Sequence, residues 1–267
     1  MCWLAWMVLC QATISISGYI SLDIGELLSS DLWPPSRIEA SKVDYDPDLA
    51  EFALDFAAAS YAPDPTGCLS RHNATLIKRV TIPCDFLGNE CWAYIAKSEE
   101  WIIMAIRGTV EIKQLLAEVA ESAIAPKVEF PAGGNVQHYF YTSFDDLWDG
   151  ANFRGIIQNL KKDNPNYKIL FTGHSFGGAV ASLASAMFVH ENLNLKNLTK
   201  SVFSITFGQP RVGNHAYAIA HDKLVPNSWR IVHRKDIVPH IPLCLSFMGH
   251  CTTGFNLTPY HHGTEVS

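Results

Sequence analysis

Apolar residues recur at Leu49, Phe52, Ala53, Phe56 and Ala59, the spacing of one helical face, and the segment Ala-Pro-Asp-Pro-Thr-Gly over 62–67 stops that helix. The pattern then changes. Residues 76–84, 91–98 and 100–109 are rich in β-branched and aromatic side chains and read as strands. After Thr109 the helical spacing returns at Ile112, Leu115, Leu116, Val119 and Ala123, with Glu111, Lys113, Glu118 and Glu121 on the other face. Residues 140–160 read as one further helix, ended by Lys-Lys-Asp-Asn-Pro-Asn-Tyr over 161–167. Three more strand runs, 167–173, 201–208 and 229–236, alternate with helical stretches over 177–192 and 215–223. Strands alternating with helices predict an α/β fold, a central, mostly parallel sheet flanked by helices. Such sheets collect functional groups at the carboxyl ends of their strands. Three polar signals sit at such ends: Arg107-Gly108-Thr109, Ser175 and Asp236.

Composition narrows the function classes. Hydrophobic residues are 48% and charged residues 17%, enough apolar surface for a large core and too little charge for a disordered chain. A net charge of -6 argues against nucleic acid as the main partner. No apolar run after the N-terminus is long enough for a transmembrane segment. Residues 1–18 read as a signal peptide, with an apolar stretch from Trp3 to Leu9 but no early Lys or Arg; an ordinary N-terminal helix or strand is the alternative. The expected organisation is a leader over 1–18, a lead-in over 19–46 and one domain over 47–267. Sequons at Asn73, Asn197 and Asn256 agree with a secreted or endomembrane-lumen protein. Removal of the leader would take Cys2 and Cys10; of the five cysteines left, Cys84 and Cys91 flank one short loop and Cys244 and Cys251 another, so two local bridges would leave Cys68 over, and five buried thiols are the other possibility. No Cys-x-x-Cys pair points to zinc.

Gly173-His174-Ser175-Phe176-Gly177 is the densest chemical signal. Gly-x-Ser-x-Gly alone arises by chance in roughly one chain in ten of this length. Here it follows an apolar strand and opens a helix of small residues, the setting of a strained strand-to-helix turn that exposes a nucleophile. A serine hydroxyl needs a base, and the base an orienting acid, in the chain order Ser, acid, His. Downstream, Asp236 lies past a strand beside two prolines, whereas Asp222 falls in a helical stretch; Asp236 is the better acid. The histidines are His215, His221, His233, His240, His250, His261 and His262, and position beyond the acid favours His261 or His262 without choosing between them.

The runs "FTGHSFGGAVASLAS", "ITFGQPRVGN", "HRKDIVPHIP", "IRGT" and "YHHGTEV" occur in the order of the class 3 lipases, the fungal triacylglycerol-lipase-like α/β-hydrolases, and the chain resembles that family over roughly 48–266. The resemblance implies Ser175 as nucleophile, Asp236 as acid and His261 as base, with His262 one residue away as the alternative. It implies Thr109 and the backbone N–H of Phe176 as oxyanion donors, and the helix after Thr109 as a lid or a fixed packing helix. It also implies a continuation past Glu265-Val266, so that a chain closing at Ser267 reads as C-terminally shortened; Phe176 stands where leucine is commoner. The implied activity is hydrolysis of acylglycerol esters at a lipid–water interface through an acyl-enzyme, without metal or organic cofactor. Phospholipase or short-chain esterase activity, and an inactive lipid-binding relative, are the rival expectations.

Overall fold

In a computed structural model, residues 44–83, 90–109, 127–234, 236–242, 246–247, 250–251 and 259–267 are described. The chain opens with α1 (Pro47–Ala59), capped by the Asp46 carboxylate, which accepts from the Asp48 N–H at 2.9 Å, and a short α2 (Thr66–Leu69). Strands β1 (Thr75–Pro83), β2 (Glu90–Lys97) and β3 (Trp101–Ile106) form an antiparallel meander. Two short strands, β4 (Val128–Glu129) and β5 (Asn135–Val136), lead to α3 (His138–Asp145) and α4 (Phe153–Asp163). Then come β6 (Lys168–His174), α5 (Phe176–Glu191), a short α6 (Leu198–Ser201), β7 (Val202–Phe207), β8 (Gly213–Asn214), α7 (His215–Leu224) and β9 (Asn227–Ile231). Four short strands follow: β10 (Ser246–Phe247), β11 (His250–Cys251), β12 (Pro259–Tyr260) and β13 (Thr264–Val266).

Seven strands make one sheet in the order β1-β2-β3-β6-β7-β9-β13, parallel from β3 onward. A second sheet, β12-β8-β5-β4, is antiparallel. Side chains alternate across the main sheet. Ile102, Met104, Ile106, Ile169 and Phe171 enter a core with α3, α4 and α5, while Ile103, Ala105, Leu170, Phe203 and Ile205 enter a second core with α1. Each fully buried Ile, Leu or Phe contributes about 1.5–3 kcal/mol, so both faces must be covered, which is why these strands read as apolar runs rather than alternating ones.

Three expectations change. The single helix over 140–160 is two, because α3 passes into one π turn (Asp146–Gly150) and the chain breaks at Asn152, whose φ is +57°. Asp-Gly-Ala-Asn over 149–152 is turn chemistry that the surrounding apolar spacing masked. Cys68 is not left over: it and Cys91 are both disulfide-bonded. The tail from Thr264 adds an edge strand, β13, that the sequence pattern did not signal. The amphipathic segment after Thr109, the leader, Asn256, Cys84 and Cys244 lie outside the described residues. Among those described, no helix is long and apolar enough to cross a membrane.

Candidate active site

Register brings the three strand-end signals level. Ile106 pairs with Gly173, His174 with Phe207, and Phe207 with Ile231, so β3, β6, β7 and β9 finish together. Ser175 stands between β6 and α5 with φ +55° and ψ -125°, a conformation costly for any residue with a Cβ. Its N–H donates to the Phe207 carbonyl at 2.8 Å, and its carbonyl accepts from Gly178 at 3.0 Å. Both flanking glycines are required by contact. A Cβ at Gly177 would lie 2.1 Å from the Ile106 carbonyl oxygen, and one at Gly173 2.5 Å from the Gly177 carbonyl carbon.

The residues after β3 close over this turn. A Cβ at Gly108 would lie 3.2 Å from Ser175 Cβ. Arg107 is pinned on the outside: its guanidinium stacks 3.9 Å from the Trp92 ring and donates to the Glu90 carbonyl at 2.8 Å. The next residue is Thr109. On the other side, Phe176 opens α5, where the first backbone N–H groups of a helix lack intrahelical acceptors. Its ring packs 5.1 Å from Tyr139 and 5.9 Å from Phe140. That aromatic cluster explains a phenylalanine in place of leucine.

Asp236 follows β9 and lies against the end of β7: a Cβ at Gly208, whose φ is +56°, would lie 2.8 Å from Asp236 Oδ2 and 3.6 Å from His174 Nε2. Asp236 Oδ1 accepts from the Val238 N–H at 3.0 Å. Burial raises its pKa above the ordinary aspartate value, partly offset by that hydrogen bond.

The histidines are placed differently from one another. His261 abuts the acid loop, and its Nε2–H donates to the Pro239 carbonyl at 2.6 Å. His262 is buried away from that loop, 3.8 Å ring to ring from His221, with Nε2 3.4 Å from Gln209 Nε2. Burial lowers the pKa of both well below the histidine range; Arg230 lowers His261 further, and His221 and Arg230 lower His262. Both sit on the short connection between β12 and β13. Among the described residues, neither is hydrogen-bonded to Ser175 or Asp236. Ser175, Gly108, Phe176 and Asp236 are therefore gathered, and His261 reaches the acid loop with its ring turned to Pro239. Also among those residues, no cluster of His, Cys, Asp or Glu could hold a metal ion.

Sequence reasoning missed two residues here. Tyr61, just past α1, contacts both His174 and Gly108. Arg211 fastens the acid loop, donating to the carbonyls of His240 and, at 2.9 Å, Pro242. Only the tertiary structure brings either one to the site.

Residues 103–246, more than half of the chain, match the family described as Lipase (class 3). A Caenorhabditis elegans protein named Lipase ZK262.3 is 34% identical over 240 residues, covering 83% of this chain and 66% of that protein. A Fusarium solani protein named secreted mono- and diacylglycerol lipase 1 is 29% identical over 157 residues, 56% of this chain and 42% of its own length. A solved triacylglycerol lipase, described as having a catalytic centre formed by a serine protease triad, matches with a TM-score of 0.62 at 26% identity, covering 74% of each chain. The fold is thus that of the α/β-hydrolases. The chain spans just under two thirds of the nematode relative and less than half of the Fusarium one.

Proposed function

The chain belongs to the class 3 lipase family, and on that premise we propose that it is a serine carboxylic-ester hydrolase acting on acylglycerols. The observation that carries the reading is Ser175 held at φ +55° on the turn between β6 and α5, with Gly108 packed on its Cβ. A strained serine at the end of a central parallel strand, against a helix N-terminus, has the layout of a nucleophile elbow.

Ser175 Oγ attacks the ester carbonyl carbon and gives its proton to His261, whose ring turns from Pro239 to do so. Asp236 orients that imidazole and stabilises its cation. The carbonyl oxygen becomes an oxyanion held by the Thr109 and Phe176 N–H groups. The C–O bond to the alcohol breaks, and the alcohol leaves with the proton from His261. Water then attacks the acyl-serine and gives a proton to His261, which returns it to Ser175 Oγ as the acyl C–O bond breaks, releasing the fatty acid and free Ser175. A base that is neutral at pH 7 suits this cycle, and burial keeps His261 neutral. The names of the Fusarium relative and the solved triacylglycerol lipase support acylglycerols as the substrate class.

Secretion belongs to the same proposal. The leader-like N-terminus, exposed sequons at Asn73 and Asn197 and the disulfides at Cys68 and Cys91 all fit an oxidising, glycosylating route. The domain begins at α1 in this reading.

A fluorophosphonate probe tests the core of it. Expected are a labelled Ser175 peptide, none in Ser175→Ala, and hydrolysis of a p-nitrophenyl ester reduced by about 10³-fold or more in Asp236→Asn and His261→Ala. A folded protein that takes no label leaves the inactive lipid-binding relative. Activity that survives His261→Ala but not His262→Ala moves the base to His262. A steep rise in rate as triacylglycerol passes into emulsion separates a lipase from a short-chain esterase.

A further inference from the structure

One hydroxyl touches both halves of the site without belonging to either. Tyr61 stands just past the end of α1, where its N–H donates to the Ala58 carbonyl at 3.1 Å. Its Oη accepts from the Gly108 N–H at 3.2 Å and lies 2.7 Å from His174 Nδ1. The donor roles follow from the count. A tyrosine has one proton, and the Gly108 N–H can only donate, so the phenol proton goes to His174 Nδ1. His174 is then neutral with its proton on Nε2, on the side that faces Gly208 and Asp236. Burial agrees, since it pushes His174 down to about 4 and holds the Tyr61 phenol protonated.

The consequence is geometric. The Gly108 amide is one peptide before the Thr109 N–H, and His174 is one residue before Ser175. Gly108 has no room to drift: a Cβ there would lie 2.6 Å from both Tyr61 Oη and the His174 carbonyl oxygen. We propose that Tyr61 is a positioning residue for ester hydrolysis, its hydroxyl clamping the oxyanion-side loop at Gly108 to the nucleophile turn at His174. This rests on the reading of Ser175 as nucleophile and of Thr109 and Phe176 as oxyanion donors. Tyr61 acts in this proposal through the two backbone segments that it joins. It sets the angle between two N–H groups that must converge on one oxygen, and a displacement of about 1 Å there is worth on the order of 100-fold in rate.

The experiment is steady-state hydrolysis of a soluble p-nitrophenyl ester by the full chain, with kcat and KM read separately and the melting midpoint measured beside them. Tyr61→Phe is expected to lower kcat by about 10- to 100-fold, leave KM within about twofold and leave the midpoint nearly unchanged. His174→Leu, which removes the acceptor, lowers kcat alike, and the double variant is no worse than either single one. His174→Asn, which keeps an acceptor near the Nδ1 position, restores most of the rate. Tyr61→Phe with wild-type kcat, or with a loss that tracks only the unfolded fraction, overturns the inference while the hydrolase reading stands. A wild-type chain that neither turns over ester nor takes a fluorophosphonate label overturns both.

Discussion

His221 and His262 pack ring against ring, 3.8 Å between centroids and 35° apart, inside the protein. His221 Nε2 lies 3.3 Å from Ser185 Oγ on α5, and Tyr217 packs edge-on to both rings. Both imidazoles are buried, so a charge on either would be poorly solvated. Acid should therefore open this region. Burial depresses His221 to about 3 and His174 to about 4, and lowers His261 and His262 in the same direction. The unfolded chain takes up these protons near the ordinary value of 6.5, and the folded chain only further down. Stability is fully retained above about pH 6.5 and falls as pH drops below it, on the order of 1 kcal/mol per pH unit for each histidine. Asp236, Asp145 and Glu191, all raised by burial, work the other way, three carboxylates against four histidines and acting from the lower carboxylate range. Melting midpoints between pH 8 and pH 4.5 test this, and a flat profile refutes it.

The strain at Ser175 predicts an opposition between stability and function. Ser175→Gly removes the Cβ that makes φ +55°, ψ -125° costly and should raise stability by about 1 kcal/mol while abolishing turnover. Ser175→Ala keeps the Cβ and should give no such gain. Thermal unfolding of the two variants side by side decides the matter.

Gly177 is set by contact rather than by flexibility. The added methyl of Gly177→Ala would meet the Ile106 carbonyl, a backbone atom at the end of a central strand. The expected cost is about 2 kcal/mol or more, with turnover lost even in the folded fraction because β3 and α5 must part. Urea denaturation gives the first number and the labelled fraction of Ser175 the second.

Arg230 holds the tail. Its Nε–H donates to the His262 carbonyl at 2.7 Å, and Nη1 lies 3.2 Å from Glu265 Oε2. Glu265 is half exposed, so the ion pair contributes little, and the buried bond to His262 is the larger part. Arg230→Met should cost about 1–3 kcal/mol and lower kcat by releasing His261, whereas Glu265→Gln should change either quantity only slightly. Hydrogen exchange over 259–267 distinguishes the two.

The turn at Ser175 and its flanking glycines was legible in the sequence because its constraint is local: a turn that excludes Cβ atoms leaves its mark within five residues. The parallel sheet was legible for the same reason, since strands buried on both faces must be apolar throughout. The choice between His261 and His262 as the candidate base was not. What distinguishes His261 from His262 is the pairing of Thr264, Glu265 and Val266 with Trp229, Arg230 and Ile231, a strand too short to show a period. Tyr61 left no signal at all, because its partners lie 47 and 113 positions further along the chain. The break at Asn152 was written in turn residues and lost to the apolar spacing on either side.

The three residues from His261 to Gly263 are a suspended span. Tyr260 is anchored in the antiparallel sheet through β8, and Thr264 in the main sheet through β9. Such a bridge has no slack of its own. Inserting or deleting one residue in it turns the imidazole to another face, and a shift of either sheet reaches His261 along the chain and through the bond from Arg230 to the His262 carbonyl.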